Sequence, residues 1–140
     1  MISYHTETDF ELPKAIKTTN WLNSVVEQEG KTLGEITIIF CSDAYLYDLN
    51  IKYLNHDTLT DIITFDYVVG KELHGDVYIS VDRVKENAEI YKCSYQQELH
   101  RVMVHGVLHL CGYKDKSSVD SVIMRAKEDY YLNQFDALVA

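Results

Sequence analysis

One stretch of the chain has residue types and spacing suited to metal chemistry: His105-Gly106-Val107-Leu108-His109-Leu110-Cys111-Gly112-Tyr113-Lys114-Asp115. Two histidines four apart on a helix stand one turn apart on the same face, so both imidazoles point the same way. Their ring nitrogens can then reach one zinc ion at about 2.0–2.1 Å. Gly112 stands three residues after His109, where a helix needs a residue able to take positive φ to stop and reverse. A reversal there brings Asp115 back beside the histidines as a third ligand. Three protein ligands leave one position open for water, which is the catalytic rather than the structural type of zinc site, and zinc lowers the pKa of such a water toward ~7. Taken singly, the histidine pair, the glycine and the aspartate each have ordinary structural readings. The joint pattern His-x-x-x-His-x-x-Gly-x-x-Asp is what points to a metal.

One absence shapes the chemistry. Zinc peptidases of the metzincin pattern carry a glutamate directly after the first histidine as general base, and here that place is Gly106. Glu98, two helical turns before His105, faces the same way but lies too far along the helix to serve. Proteolysis is therefore disfavoured. The water must lose its proton to the metal's influence, to a substrate phosphate, or to a group the sequence does not identify.

The elements that must position these residues follow from periodicity. Leu99, Val102, Met103, Val107, Leu108 and Leu110 recur at helical spacing and place both histidines on one helix. The first dozen residues alternate like a strand. From Pro13, Ala15, Ile16, Trp21, Leu22, Val25 and Val26 predict a helix ending at Gly30. Glu35–Cys41 is a buried strand by its β-branched content, and Ser42-Asp43 can cap a helix whose apolar face includes Leu46, Leu49 and Tyr53. Ile62–Tyr67 and Asp76–Ser80 read as strands, with Gly70 and Gly75 in the turn between them. From Val81 onward the chain reads as helix, broken near Cys93-Ser94 and at Gly112. The expected fold is α+β: a mixed four-stranded β-sheet covered by about five helices, with a metzincin-like zinc cleft.

With 140 residues, 46% hydrophobic, one proline and no repeat or linker, the chain is expected to form a single domain over 1–140. No apolar run is long enough to span a bilayer, and the polar, acidic N-terminus lacks a signal-peptide pattern. Three widely spaced cysteines without a C-x-x-C pair fit buried free thiols in a reducing compartment. The expectation is a mature protein equal to the whole chain, soluble in the cytoplasm. A net charge of −9 opposes non-specific nucleic-acid binding, so any RNA or DNA substrate needs a local basic patch or the metal.

At these residues the sequence resembles the YbeY family of bacterial rRNA maturation endoribonucleases. HGVLHLCGYKD is similar to that family's His-Gly-x-Leu-His-Leu-x-Gly-Tyr-Asp-His. Thr60–Phe65 resembles its Thr-Asp-Val-Leu-Ser-Phe, Gly75–Ser80 its Gly-Asp-Ile-x-Ile-Ser, and Leu49-Asn50 its preceding Leu-Asn. Three blocks in the right order cover most of the chain. The resemblance implies a mixed sheet with helices around a zinc cleft, single-strand endoribonuclease activity in rRNA maturation and ribosome quality control, and the small ribosomal subunit as partner. It implies neither a membrane nor a nucleotide cofactor.

Carried over, His105 and His109 are metal ligands, with one zinc per chain. Asp115 falls where the family has a third histidine, and this harder, anionic oxygen ligand admits other divalent metals. Leu54 falls where the family has an arginine important for activity, and leucine cannot bind phosphate. Lys52, His56 and Arg101 are the candidate substrate-binding replacements, with an exposed helix lysine, a loop histidine and a surface ion pair as their ordinary readings. Lys114 and Lys116 flank Asp115 and can add local positive potential. Two rival readings stand beside the nuclease: a ribosome-assembly binding factor with a mainly structural metal, and a metal-dependent hydrolase of another ester or amide.

Overall fold

The longest run of β-branched residues, Ile36 to Ile39 with Phe40, forms the middle of a sheet in the computed structural model, which describes residues 1–54 and 60–137. The elements run β1 (Ile2–Thr6), α1 (Ala15–Gln28), β2 (Thr32–Cys41), α2 (Asp43–Leu54), β3 (Ile62–Asp66), β4 (Glu72–Ser80), α3 (Val81–Ile90), α4 (Tyr95–Leu110) and α5 (Ser118–Ala137). This is the expected mixed α+β architecture of four strands and five helices.

Strand order is β1-β2-β4-β3, with β1 parallel to β2, β2 parallel to β4, and β3 antiparallel to β4. Parallel neighbours need a crossover, and α1 supplies the one between β1 and β2. Period-two alternation sends adjacent side chains to opposite faces. Ile36, Ile38, Phe40, Leu73, Val77 and Ile79 enter the main core with α1, α4 and α5, while Cys41, Ile63 and Leu46 form a smaller core under α2.

Four local expectations need correcting. The first strand ends at Thr6, and α1 begins only at Ala15, after Lys14 in a left-handed conformation. Gly75 lies inside β4, paired with Asp66 of β3, so the turn falls around Gly70 instead. Tyr53 is exposed, because the α2 face that meets the sheet is narrow. Cys41 is buried, but Cys93 and Cys111 are half-buried. Ser42 does accept from the Tyr45 amide at 3.2 Å. The Asp43 carboxylate instead accepts from Ser80 Oγ at 2.6 Å and from Arg83, tying α2 to α3.

Helix α4 is the central element and is buried around most of its circumference. Ser94 caps its start, accepting from the Gln97 amide at 3.0 Å. His100, on the α4 face toward α1 and α5, is 2% exposed between Trp21 and Phe135, and its Nε2 has no partner. Burial, joined by the charges of Lys17 and Lys14 and opposed by Asp136, lowers its pKa to about 4. Because the fold favours the neutral ring, this stability is complete above the ordinary histidine pKa of ~6.5 and is lost as pH falls toward about 4. At 1.36 kcal/mol per pKa unit the loss is about 3 kcal/mol. Urea midpoints at pH 7.5 and 5 should therefore separate far more for wild type than for His100→Leu. Equal separations would show that His100 does not carry the acid sensitivity.

Candidate metal centre

The histidine pair sits in the last two turns of α4, where the four-residue interval turns both rings to one side. His105 Nε2 is 3.2 Å and His109 Nε2 3.5 Å from the same Asp115 Oδ2. Donor atoms of the three residues all lie within 4.8 Å of one another. Among the described residues no other cluster of histidine, cysteine and acidic side chains meets that geometry.

Delivery of Asp115 depends on how α4 ends. The Tyr113 amide donates to Leu108 O at 3.1 Å and the Gly112 amide to His109 O at 3.0 Å, a paired closure of the Schellman kind. Gly112 takes φ +111°, which side-chain-bearing residues rarely adopt. The reversed segment is then anchored at a distance: Tyr113 OH donates to Glu29 Oε1 at 2.7 Å. Glu29 also accepts from Tyr131 OH and from Lys127 Nζ, the latter at 3.2 Å. Burial pushes the Glu29 carboxyl up, but these hydrogen bonds and the Lys127 charge outweigh it and hold the pKa below the usual value.

A second carboxylate, from α5, completes the surroundings. Glu128 is 5% exposed, and its Oε2 lies 2.6 Å from His105 Nδ1. A carboxylate there accepts a hydrogen bond from Nδ1–H, which fixes the ring with Nε2 aimed at Asp115. Glu128 Oε1 accepts from Arg101 Nη1 at 3.0 Å, and Arg101 Nη2 donates to Asp129 Oδ1 at 2.7 Å. Burial lowers the His105 pKa, but the hydrogen bond and charge of Glu128, with Asp115 and Asp61, raise it above the ordinary value. Nothing in the sequence pairs residues 105 and 128; the only available signal is an acid, Glu128, at helical spacing among the apolar residues Met124, Tyr131, Leu132 and Phe135 of α5.

These three donors and Glu128 bound part of a cleft of about 730 Å³. Asp61 and Glu98 line it too, and burial raises the pKa of both. The candidate substrate contacts divide. Arg101 lines the cleft but is held in its two ion pairs. Lys52 does not line it; its ammonium lies 5.5 Å from the Tyr53 ring on the outer part of α2. His56 lies outside the described residues. Leu54 and Lys116 line the cleft, whereas Lys114 does not.

The donor set fits a divalent cation: two imidazole nitrogens and one carboxylate oxygen converge, with one imidazole oriented by a buried acid. With Asp115 in the third place, zinc and harder divalent ions are both compatible.

Comparison with known proteins agrees over nearly the whole chain. A family model described as Endoribonuclease YbeY matches residues 2–136. Endoribonuclease YbeY of Flavobacterium psychrophilum is 56% identical over 135 residues, covering 96% of each chain. The protein of that name from Flavobacterium johnsoniae is 52% identical, covering 96% of this chain and 97% of its own. The solution structure of TM1509 from Thermotoga maritima superposes with a TM-score of 0.69 at 26% identity, over 96% of this chain and 89% of that one.

Proposed function

This chain belongs to the YbeY family of endoribonucleases, and from that membership we propose that it is a zinc-dependent, single-strand endoribonuclease of rRNA maturation and ribosome quality control. His105, His109 and Asp115 are the metal ligands in this reading, Glu128 orients His105, and the small ribosomal subunit is the partner. The whole chain, 1–140, acts as one hydrolase domain. No helix among the described residues is long and apolar enough to cross a membrane, and the reading places the protein in the cytoplasm.

The observation that carries this reading is the convergence of both Nε2 atoms on one Asp115 oxygen inside a large cleft. A divalent ion held there supplies Lewis-acid polarisation of a phosphodiester oxygen and activation of water. The chain's own residues do the remainder. The α4 histidines and Asp115 define the position of the reacting phosphate, and Glu128 keeps the His105 ring from rotating. Asp61, whose burial favours its protonated form and whose charge acts on His105, sits where a proton can be held near the reacting centre.

A mainly structural metal would call for four protein ligands closing the coordination shell. Only three donors converge among the described residues, which favours the enzyme over the assembly-factor reading. The testing measurement is metal content by elemental analysis on wild type, His109→Ala and Asp115→Ala purified side by side without added metal. Roughly one zinc per wild-type chain, lost from both variants, is the expected result. A metal-free wild type, or full retention in Asp115→Ala, refutes the three-ligand site.

A further inference from the structure

An RNA substrate meets an electrostatic obstacle in this cleft. The chain carries a net charge of −9, and Asp61, Asp66, Glu98, Asp115 and Glu128 all line the cavity. A bound divalent ion offsets part of that charge, but a polyanion also needs cationic side chains with donors to spare.

Three cationic side chains line the cleft among the described residues: Arg101, Lys116 and Arg125. Arg101 is committed. Its side chain is 17% exposed, and two carboxylates take its guanidinium at 3.0 and 2.7 Å. Turning it toward a phosphate would strand the buried Glu128 without its counter-ion. Lys116 is an exposed residue of the loop after Asp115 and offers a point charge.

Arg125 differs from both. It stands three residues before Glu128 on α5, its side chain is 56% exposed, and its closest carboxylate oxygen, Glu128 Oε1, is 3.8 Å away. That oxygen already accepts from Arg101 at 3.0 Å, so it binds Arg125 only weakly. Arg125 makes no hydrogen bond with the other described residues, which leaves its planar fork of donors open. Glu128 in turn holds His105 at 2.6 Å, so a single carboxylate separates this guanidinium from a metal-site imidazole. Leu54 lines the same cleft and contributes no donor.

We propose that Arg125 is the phosphate-binding residue of the cleft, its guanidinium taking the non-bridging oxygens of an RNA backbone phosphate beside the metal centre. This rests on the ribonuclease reading above and adds to it the residue that grips the substrate. Bidentate geometry suits arginine to that task, and the long-range charge of Glu128 keeps the side chain in the cleft without saturating it.

The test uses a fluorescein-labelled single-stranded RNA of about 12 nucleotides, a length within the usual range of single-strand sites. Anisotropy titrations of the zinc-loaded protein, read on ice before product forms, measure binding without turnover, and the same protein then cleaves the same RNA on warming. Arg125→Ala should weaken binding about tenfold, raise KM more than it lowers kcat, and reduce the salt slope by about 0.7, the value for one single-strand phosphate contact. Zinc content and Tm should stay at wild-type values. Arg125→Lys should recover the salt slope but not the affinity, because it keeps the charge and loses the fork.

Unchanged affinity, slope and KM in Arg125→Ala would overturn the proposal. A loss of zinc or of Tm in step with affinity would overturn it too, by showing that Arg125 acts through Glu128 as a structural residue. If wild-type protein neither binds nor cuts the RNA while retaining its zinc, the ribonuclease reading itself falls and takes this inference with it.

Discussion

His109→Ala is expected to lower cleavage of single-stranded RNA by about three orders of magnitude or more while leaving the fold intact. The side chain of His109 is 28% exposed, at the cleft rather than in the core, so truncation opens no sealed cavity. The loss is chemical: one of three converging donors disappears, and the remaining histidine and carboxylate hold a divalent ion far more weakly. Lewis-acid stabilisation contributes several kcal/mol to phosphodiester cleavage, and each ~1.36 kcal/mol is tenfold in rate. Gel analysis of end-labelled RNA, with both proteins purified identically, measures the ratio. Circular dichroism should show matching helix content and a similar melt. Cleavage that survives the substitution and tracks protein concentration would place the chemistry elsewhere in the cleft.

Gly106→Glu, which would restore the peptidase glutamate beside the first histidine, is expected to destabilise the protein by about 4 kcal/mol or more and to confer no peptidase activity. An interior helix glycine ordinarily gains up to ~1 kcal/mol when replaced by a better helix former. Here packing reverses the sign. A Cβ at residue 106 would sit 2.7 Å from Val77 Cγ1 and 3.1 Å from Ile62 Cδ1. Val77 is β-branched, stiff about χ1, completely buried, and held between β2 and β3 in the sheet. It has little room to yield. Gly106→Ala alone should cost about 1–3 kcal/mol from overpacking. The glutamate adds a larger, charged side chain pressed against Val77 and Ile62. Urea unfolding of the wild type and both substitutions gives the ranking directly. A Gly106→Glu protein of unchanged stability that cuts casein would refute this packing account and revive the peptidase reading.

The missing glutamate thus has two meanings at two levels. In the sequence, Gly106 argues only against one chemistry. In the fold, its missing side chain lets α4 lie close on Ile62 of β3 and Val77 of β4, on the helix that carries His105 and His109.

Much of the fold was legible along the chain because its signals are local. Helical spacing from Leu99 to Leu110, the β-branched run of β2, the break near Cys93-Ser94 and the stop at Gly112 each depend on neighbours within a turn or two. The same locality places His105 and His109 on one face, since 3.6 residues per turn leaves no other arrangement for an interval of four. It also explains the errors. Gly75 carries a turn-like identity but lies within a strand, because its partners on β2 and β3, Ile36 and Asp66, override local preference. Lys52 was a plausible phosphate contact by its position in the sequence, yet the side of α2 on which it falls does not line the cleft.

Contacts between distant elements had no such signal. Strand order rests on pairing between segments far apart in the chain, and the Glu128 carboxylate on His105, the commitment of Arg101 and the open guanidinium of Arg125 follow from how α5 lies against α4. That placement is set by the shared core, by Trp21 donating to the Tyr131 carbonyl at 2.7 Å, and by Glu29 joining α1, α5 and the Tyr113 turn. Residues along the chain therefore settle which chemistry is available, because ligand type and helical interval are properties of a few adjacent side chains. Which carboxylate orients a histidine, and which arginine is left with donors for a substrate, is decided only when helices more than twenty residues apart are packed together.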